Sequence, residues 1–297
     1  MFEEFKNAFH RYNNGHVQLI IINLAVFVVM GVIMVIFRIG GLDSIWAVLH
    51  RQFTIPAPFA EFITRPWTIL TYMFMHDLSG ILHILFNMLI LYWFGKLFVE
   101  YLGSDKLIAV YVLGGIAGGI TYLLAYNSIP FFIDRVGTFS GMVGASAAVN
   151  AIVVATATLV PNYTFFLLFI GPVRIKYIAA VFVFLSFLGS VGSNAGGNIA
   201  HLGGALMGFI YMKQLHAGAN WGGWVTMTLE WFKSLFKEKP KVKVSYRKER
   251  SATARNATDK ASYTQEEIDR ILDKISEGGY ESLTKDEKEK LFNASKK

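Results

Sequence analysis

Cysteine is absent from this 297-residue chain, which excludes a disulfide framework, a thiol nucleophile and any cysteine-ligated metal site. Charge is sparse as well, with Asp, Glu, Lys and Arg making up 16% of residues. No acid within the apolar stretches is a credible partner for a histidine, so a serine–histidine–aspartate triad is not expected. No small-residue cleavage site follows the first apolar run. That run is long enough to span a bilayer and reads as a retained segment, not a cleavable signal peptide. No internal repeat relates the two halves, which counts against a transporter built from inverted repeats. What the chain does have is apolar bulk. It is 54% hydrophobic with a mean hydropathy of +0.42, too apolar for an ordinary soluble domain.

A membrane span needs about 20 mostly apolar residues. Six stretches qualify: 17–38, 81–101, 106–126, 141–160, 175–191 and 199–216. The expected fold is an all-α membrane protein, a six-helix bundle at 17–216 with a short N-terminus at 1–16. The apolar segment 163–170 is too short to span and lies between Pro161 and Gly171-Pro172, so it reads as a re-entrant or interfacial hairpin. Residues 39–80 form a long first connection whose Trp46, Phe53, Phe59, Phe62 and Trp67 suit interfacial anchoring. An interfacial helix is expected at 217–236, a basic linker at 237–262 and a small cytoplasmic helical hairpin at 263–297. Capping boxes at Thr264–Glu267 and Thr284–Glu287 would open the hairpin's two helices. The hairpin is too small to build much core and is expected to pack on a cytoplasmic partner or the membrane.

The net charge of +7 is concentrated between residues 237 and 255. Beside a membrane domain this basic run reads as a cytoplasmic juxtamembrane segment, and no nucleic-acid partner is expected. Lys6 and Arg11 place the N-terminus on the same side. The starts of stretches two, four and six then face outward.

Those starts carry the chemistry. Ser146 stands in Gly144-Ala145-Ser146-Ala147 near the start of the fourth stretch, and His201 near the start of the sixth. Polar groups inside a membrane are expensive and functional by default. Here they share one depth, because even-numbered segments of an antiparallel bundle run the same way. Gly204 and Gly208 form a GxxxG face one turn below His201, able to bring two helix backbones close. If the partner is the fourth helix, imidazole meets the serine hydroxyl and can act as its base. Gly141 and Gly144 allow an irregular entry into that helix. Its first-turn N–H groups suit an oxyanion. His83 and Asn87 lie four apart on one face of the second helix, as oxyanion donors or as an interhelical pair. His76, Asn150 and Asn198 are candidates for lining a water-filled cavity. No carboxylate or thiol joins His76, His83 and Asn87, so no metal is expected, and no cofactor is implied. At 1.5 Å rise, six or seven residues into its helix, Ser146 would lie about 10 Å below the surface.

In order and spacing these pieces resemble the rhomboid intramembrane serine proteases: Phe74-Met75-His76 with His83 and Asn87, then Gly144–Ser146, then Ala200-His201 with Gly204 and Gly208. The resemblance covers roughly residues 15–216. It implies a Ser146 nucleophile, a His201 general base, and an oxyanion site from His83, Asn87 and the Ser146 N–H. It also implies a multi-pass protein of a bacterial inner membrane with both termini cytoplasmic and transmembrane proteins as substrates. The C-terminal extension resembles that of Bacteroidetes-type rhomboids. Two positions depart from the pattern. Asn150 stands where an aromatic residue often stacks on the histidine, and the first loop reads Trp67-Thr68 with Arg65 displaced. A non-catalytic relative that binds client helices, and a proton-coupled transporter built on His83 and His201, remain as alternatives.

Overall fold

A computed structural model describes residues 13–78, 80–136, 141–236 and 265–295. Contacts divide the chain into two compact units, Met1–Glu238 and Lys239–Lys297. The basic linker at 237–262, Thr264 with its capping box, and Lys6 and Arg11 lie outside the described residues.

In the first unit the helices are α1 (Gly15–Ile39), α2 (Asp43–Arg51), α3 (Phe59–Thr64), α4 (Thr68–Thr71), α5 (Ile81–Leu102), α6 (Ser104–Ser128), α7 (Pro130–Ile133), α8 (Ser146–Leu159), α9 (Ile175–Gly189), α10 (Ala195–His216) and α11 (Gly223–Phe236). Among the described residues α1, α5 and α6 are long and apolar enough to cross a membrane. The 14 residues of α8 and 15 of α9 rise only about 21–23 Å, less than a hydrocarbon core of about 30 Å. The protein is a nearly all-helical, multi-pass membrane bundle. Residues 163–170 enter a β-hairpin in which β1 (Thr164–Leu167) pairs antiparallel with β2 (Gly171–Arg174). Its tip presents Leu168, Phe169 and Ile170 outward.

The core is built from glycine and alanine where α6, α8 and α10 meet. A Cβ on Gly114 or Gly118 of α6 would strike the Ala151 or Ala147 methyl of α8. One on Gly204 or Gly208 of α10 would be driven into the Ala147 or Ala151 carbonyl oxygen of the same helix. Gly203, on the neighbouring face of α10, abuts Thr121 and the Ala117 carbonyl of α6. Lipid tails are as apolar as leucine, so close backbone packing is a main source of helix association here.

Part of the first connection packs inward, with Ile55, Ala57, Tyr72 and Met73 joining this core. Trp46, expected as an interfacial anchor, is buried with Met30 and Met75, while Phe59 and Trp67 are exposed. The displaced Arg65 still ties the loop, donating to the Arg51 carbonyl at 2.6 Å and pairing with Glu61 at 2.7 Å. The Trp67 indole N–H donates to the Gln52 carbonyl at 2.9 Å.

The second unit contains α12 (Gln265–Gly278) and α13 (Lys285–Ala294). Ile271 and Leu283 are its buried apolar residues among those described. Thr284 and Glu287 form a reciprocal capping box, and Lys274 reaches Glu287 at 3.0 Å.

Candidate functional site

Ser146 is the first residue of α8. The sequence pattern begins this helix at residue 141, but 141–145 is irregular. Gly141 and Gly144 hold φ of +104° and +133°, outside helical geometry and disfavoured for any L side chain. Ser146 therefore does not sit six or seven residues into a helix, and the depth of about 10 Å counted that way does not apply. Irregular backbone at membrane depth is tolerated where protein buries it, and here the first connection does so. Met142 and Ile55 exchange N–H···O bonds of 2.9 and 3.1 Å, and the Gly144 N–H donates to the Tyr72 carbonyl at 3.0 Å. The Tyr72 and Tyr111 hydroxyls, donating to Gly115 and Met73 carbonyls at 2.6 and 2.8 Å, hold that segment to α6. Ser146 is thus mounted on a turn braced by residues 54–75.

His201 lies in the second turn of α10, with Nε2 2.7 Å from Ser146 Oγ. The Gly204 and Gly208 contacts with α8 make this approach possible, since the two backbones meet one and two turns below the pair. Val149 N–H is the first amide of α8 to reach back, to the Ala145 carbonyl at 2.9 Å. The N–H groups before it lack intrahelical partners. Ser146, whose N–H is one of these, lines a cavity of about 360 Å³ together with His83, Asn87, Asn150, Ser186, Asn198 and His201. Chemically, this is a hydroxyl hydrogen-bonded to an imidazole at the N-terminal turn of a helix, in a largely apolar pocket.

The remaining candidates fall into place unevenly. His83 faces the same turn as the serine: a Cβ on Gly144 would lie 3.7 Å from His83 Nε2 and 3.4 Å from Ser146 Oγ. Asn87 donates one amide hydrogen to the His83 carbonyl at 2.9 Å, and a primary amide has a second. Asn150 donates to the Ser146 carbonyl at 2.9 Å, while its Oδ1 is buried without a partner among the described residues. Asn198 edges the cavity, but its amide bonds the Gly189 and Asn194 carbonyls at 3.0 and 2.9 Å. His76 departs from expectation. It is only 2% exposed and is not a wall of the cavity. It sits behind His83, ring centroids 6.3 Å apart.

Two features escape the sequence reading. Gly114-Gly115-Ile116-Ala117-Gly118-Gly119 in α6 carries two overlapping GxxxG pairs, a signal available from spacing alone. Ser186 of α9, whose Oγ lies 3.4 Å from His201 Nδ1, has no local motif to mark it.

A serine–histidine pair inside a multi-pass helical membrane bundle is thus the centre of the candidate site. The rhomboid domain family matches residues 64–217, and the chain belongs to the rhomboid family. It is 30% identical over 193 residues to RHOMBOID-like protein 12, mitochondrial, of Arabidopsis thaliana, covering 60% of this chain and 56% of that protein. It is 27% identical over 195 residues to Rhomboid protein 1, mitochondrial, of Saccharomyces cerevisiae, covering 63% of this chain and 51% of that protein. The matches thus span about half the length of these relatives. Residues 257–297 match a separate family of unknown function (DUF6576).

Proposed function

We propose that the chain is an intramembrane serine endopeptidase that cuts transmembrane or juxtamembrane segments of other membrane proteins. The observation that carries this reading is the 2.7 Å contact between Ser146 Oγ and His201 Nε2 at the start of α8. Ser146 attacks the scissile carbonyl as Nε2 takes its proton. The resulting oxyanion accepts from the Ser146 N–H, His83 and the second amide hydrogen of Asn87. Collapse of the tetrahedral intermediate releases the amine, which takes the proton from Nε2. Water entering by the cavity then hydrolyses the acyl-enzyme with His201 again as base. A substrate helix must unwind locally, because its carbonyls are otherwise hydrogen-bonded along the helix. Helix-destabilising residues at the cut site are therefore expected.

Arg174 ends the β-hairpin and Lys176 follows it, whereas 188–198 carries no charge. The positive-inside bias supports our reading that the hairpin and both termini are cytoplasmic, with the cavity toward the outer face of a cell inner membrane. The basic run at 237–255 fits the same orientation, and α11 the interface.

The test is purified protein with a model transmembrane substrate. Ser146→Ala and His201→Ala should each abolish cleavage without loss of folding, and the double variant should be no worse, since a dyad acts as a unit. Labelling by a serine-directed fluorophosphonate should vanish in Ser146→Ala. His83→Ala and Asn87→Ala should each lower turnover about 10²–10³-fold, the effect of losing one oxyanion donor. Substantial cleavage by Ser146→Ala would refute the assignment, and a wild-type chain that binds helices without cutting would make it a non-catalytic relative.

A further inference from the structure

We propose that Ser186 is a positioning residue for His201, its hydroxyl accepting a hydrogen bond from Nδ1–H and so holding the imidazole in the tautomer whose Nε2 is a bare base. This rests on the dyad reading above.

Three observations support it. First, α9 turns little of itself inward. Among its described residues Ile175, Ala179 and Ser186 are buried, while Val181, Phe184, Leu185, Phe187 and Leu188 are exposed. The inward residues follow a spacing of four and then seven, the apolar stripe of a helix, and the last of them is a hydroxyl where a hydrocarbon would otherwise sit. A buried polar group in a membrane needs a partner, and Ser186 Oγ lies 3.4 Å from His201 Nδ1.

Second, the contact is held by a separate clasp. Asn198 donates to the Gly189 carbonyl at 3.0 Å. Gly189 lies three residues after Ser186 and Asn198 three before His201, which is the register of antiparallel helices meeting on adjacent turns. A side chain at Gly189 would collide with Asn198. The clasp therefore requires glycine and sets Ser186 over the imidazole.

Third, tautomer chemistry leaves one productive assignment. A neutral imidazole carries one N–H, and the nitrogen that bears it is set by the hydrogen bond its other nitrogen makes. With the proton on Nδ1, donating to Ser186 Oγ, Nε2 can take the Ser146 proton. The imidazolium then keeps its Nδ1–H bond to Ser186 until Nε2–H protonates the leaving amine. If Ser186 instead donated to a bare Nδ1, the proton would sit on Nε2 and His201 would be no base. Asn150, the other polar side chain of the Ser146 turn, is bonded to the Ser146 carbonyl instead.

The test compares wild type, Ser186→Ala, Ser186→Thr and Ser186→Val in the full chain, with Ser146→Ala alongside. Ser186→Ala should lower kcat about 10–100-fold, the cost of removing the partner that orients a metal-bound histidine carried over to this imidazole, at unchanged KM and unchanged thermal stability. Ser186→Thr should restore most of kcat, and Ser186→Val, which matches threonine in shape without the hydroxyl, should not. A readout independent of cleavage is ¹⁵N-histidine NMR of His201, assigned with His201→Ala. Wild type and Ser186→Thr should hold the Nδ1–H tautomer, and Ser186→Ala should give a mixture. Wild-type kcat in Ser186→Ala, equal impairment of Thr and Val, or an Nε2–H tautomer in the wild type would each overturn the proposal. Cleavage surviving in Ser146→Ala would overturn the dyad reading instead, while the NMR comparison still decides what Ser186 does.

Discussion

His201 has two neighbours that hold it very differently. On one flank α8 meets α10 backbone to backbone, Gly204 and Gly208 lying against the Ala147 and Ala151 carbonyls. On the other, α9 stands away from α8, leaving an apolar groove of about 590 Å³ lined by residues such as Ala157, Val183 and Phe187. It meets the head of α10 at Ser186 and at the Gly189–Asn198 clasp. The first flank brings Ser146 and His201 together and leaves no room for a side chain at Gly204 or Gly208. The second meets α10 through a few hydrogen bonds and otherwise faces outward. Rigidity and adjustment are thus divided between the two sides of one helix.

The largest effect should come from the tight flank. Gly204→Val or Gly208→Val should eliminate measurable cleavage, since displacement of about 1 Å can cost about 10²-fold in rate and overpacking typically costs about 1–3 kcal/mol of stability. Gly118→Val, reaching α8 from α6, should behave alike. Full activity in Gly204→Val, measured on the model substrate beside its thermal melt, would mean that the contact is not needed. The clasp comes next. Asn198→Ala removes an interhelical bond of about 0.6–1 kcal/mol and should lower turnover roughly three- to fivefold. A loss as severe as that of Gly204→Val would erase the difference between the flanks.

Smaller still, Phe184→Ala and Leu188→Ala alter outward-facing positions of α9. They should move stability by no more than about 0.5 kcal/mol, read as a thermal melt in detergent. The second unit should matter least to the chemistry. A chain ending at Lys239 should keep kcat within about twofold, because every proposed catalytic residue lies in the first unit and distant independent sites perturb one another little. A well-inserted truncation that cannot cut would make the tail part of the enzyme. Within that unit, the Thr284 backbone N–H and Lys274 hold the Glu287 carboxyl down at about 2. A depressed carboxylate contributes its stability above the ordinary value of 4.5 and loses it as pH falls through about 2. Circular dichroism of a 263–297 peptide should follow that window, and Glu287→Gln should flatten it.

What could be read along the chain was whatever depends on local pattern. Long apolar runs located the helices, because a span must satisfy its backbone internally and show hydrocarbon outward. The order of His83, Asn87, Ser146 and His201, with GxxxG below the histidine, located the site, because helical periodicity converts spacing into a shared face. Glycines at 141 and 144 hinted at an irregular entry. Their positive φ, and with it the start of α8 at Ser146, depended on pairing with Ile55 and Tyr72, about 70–90 residues earlier. His76 read as a wall of the cavity and proved to lie behind His83. That distinction depends on how the first connection folds inward, which no local spacing records. Ser186 carried no signal at all, as one hydroxyl in an apolar helix is usually structural glue. Its place over Nδ1 follows from the register of α9 on α10. Sequence determined that the chain is a helical membrane protein and which polar residues fall within its apolar stretches, both properties of neighbours in the chain. Tertiary structure alone decided which nitrogen faces the serine and what holds the other, since angstrom-scale approach between helices far apart in sequence is set by packing.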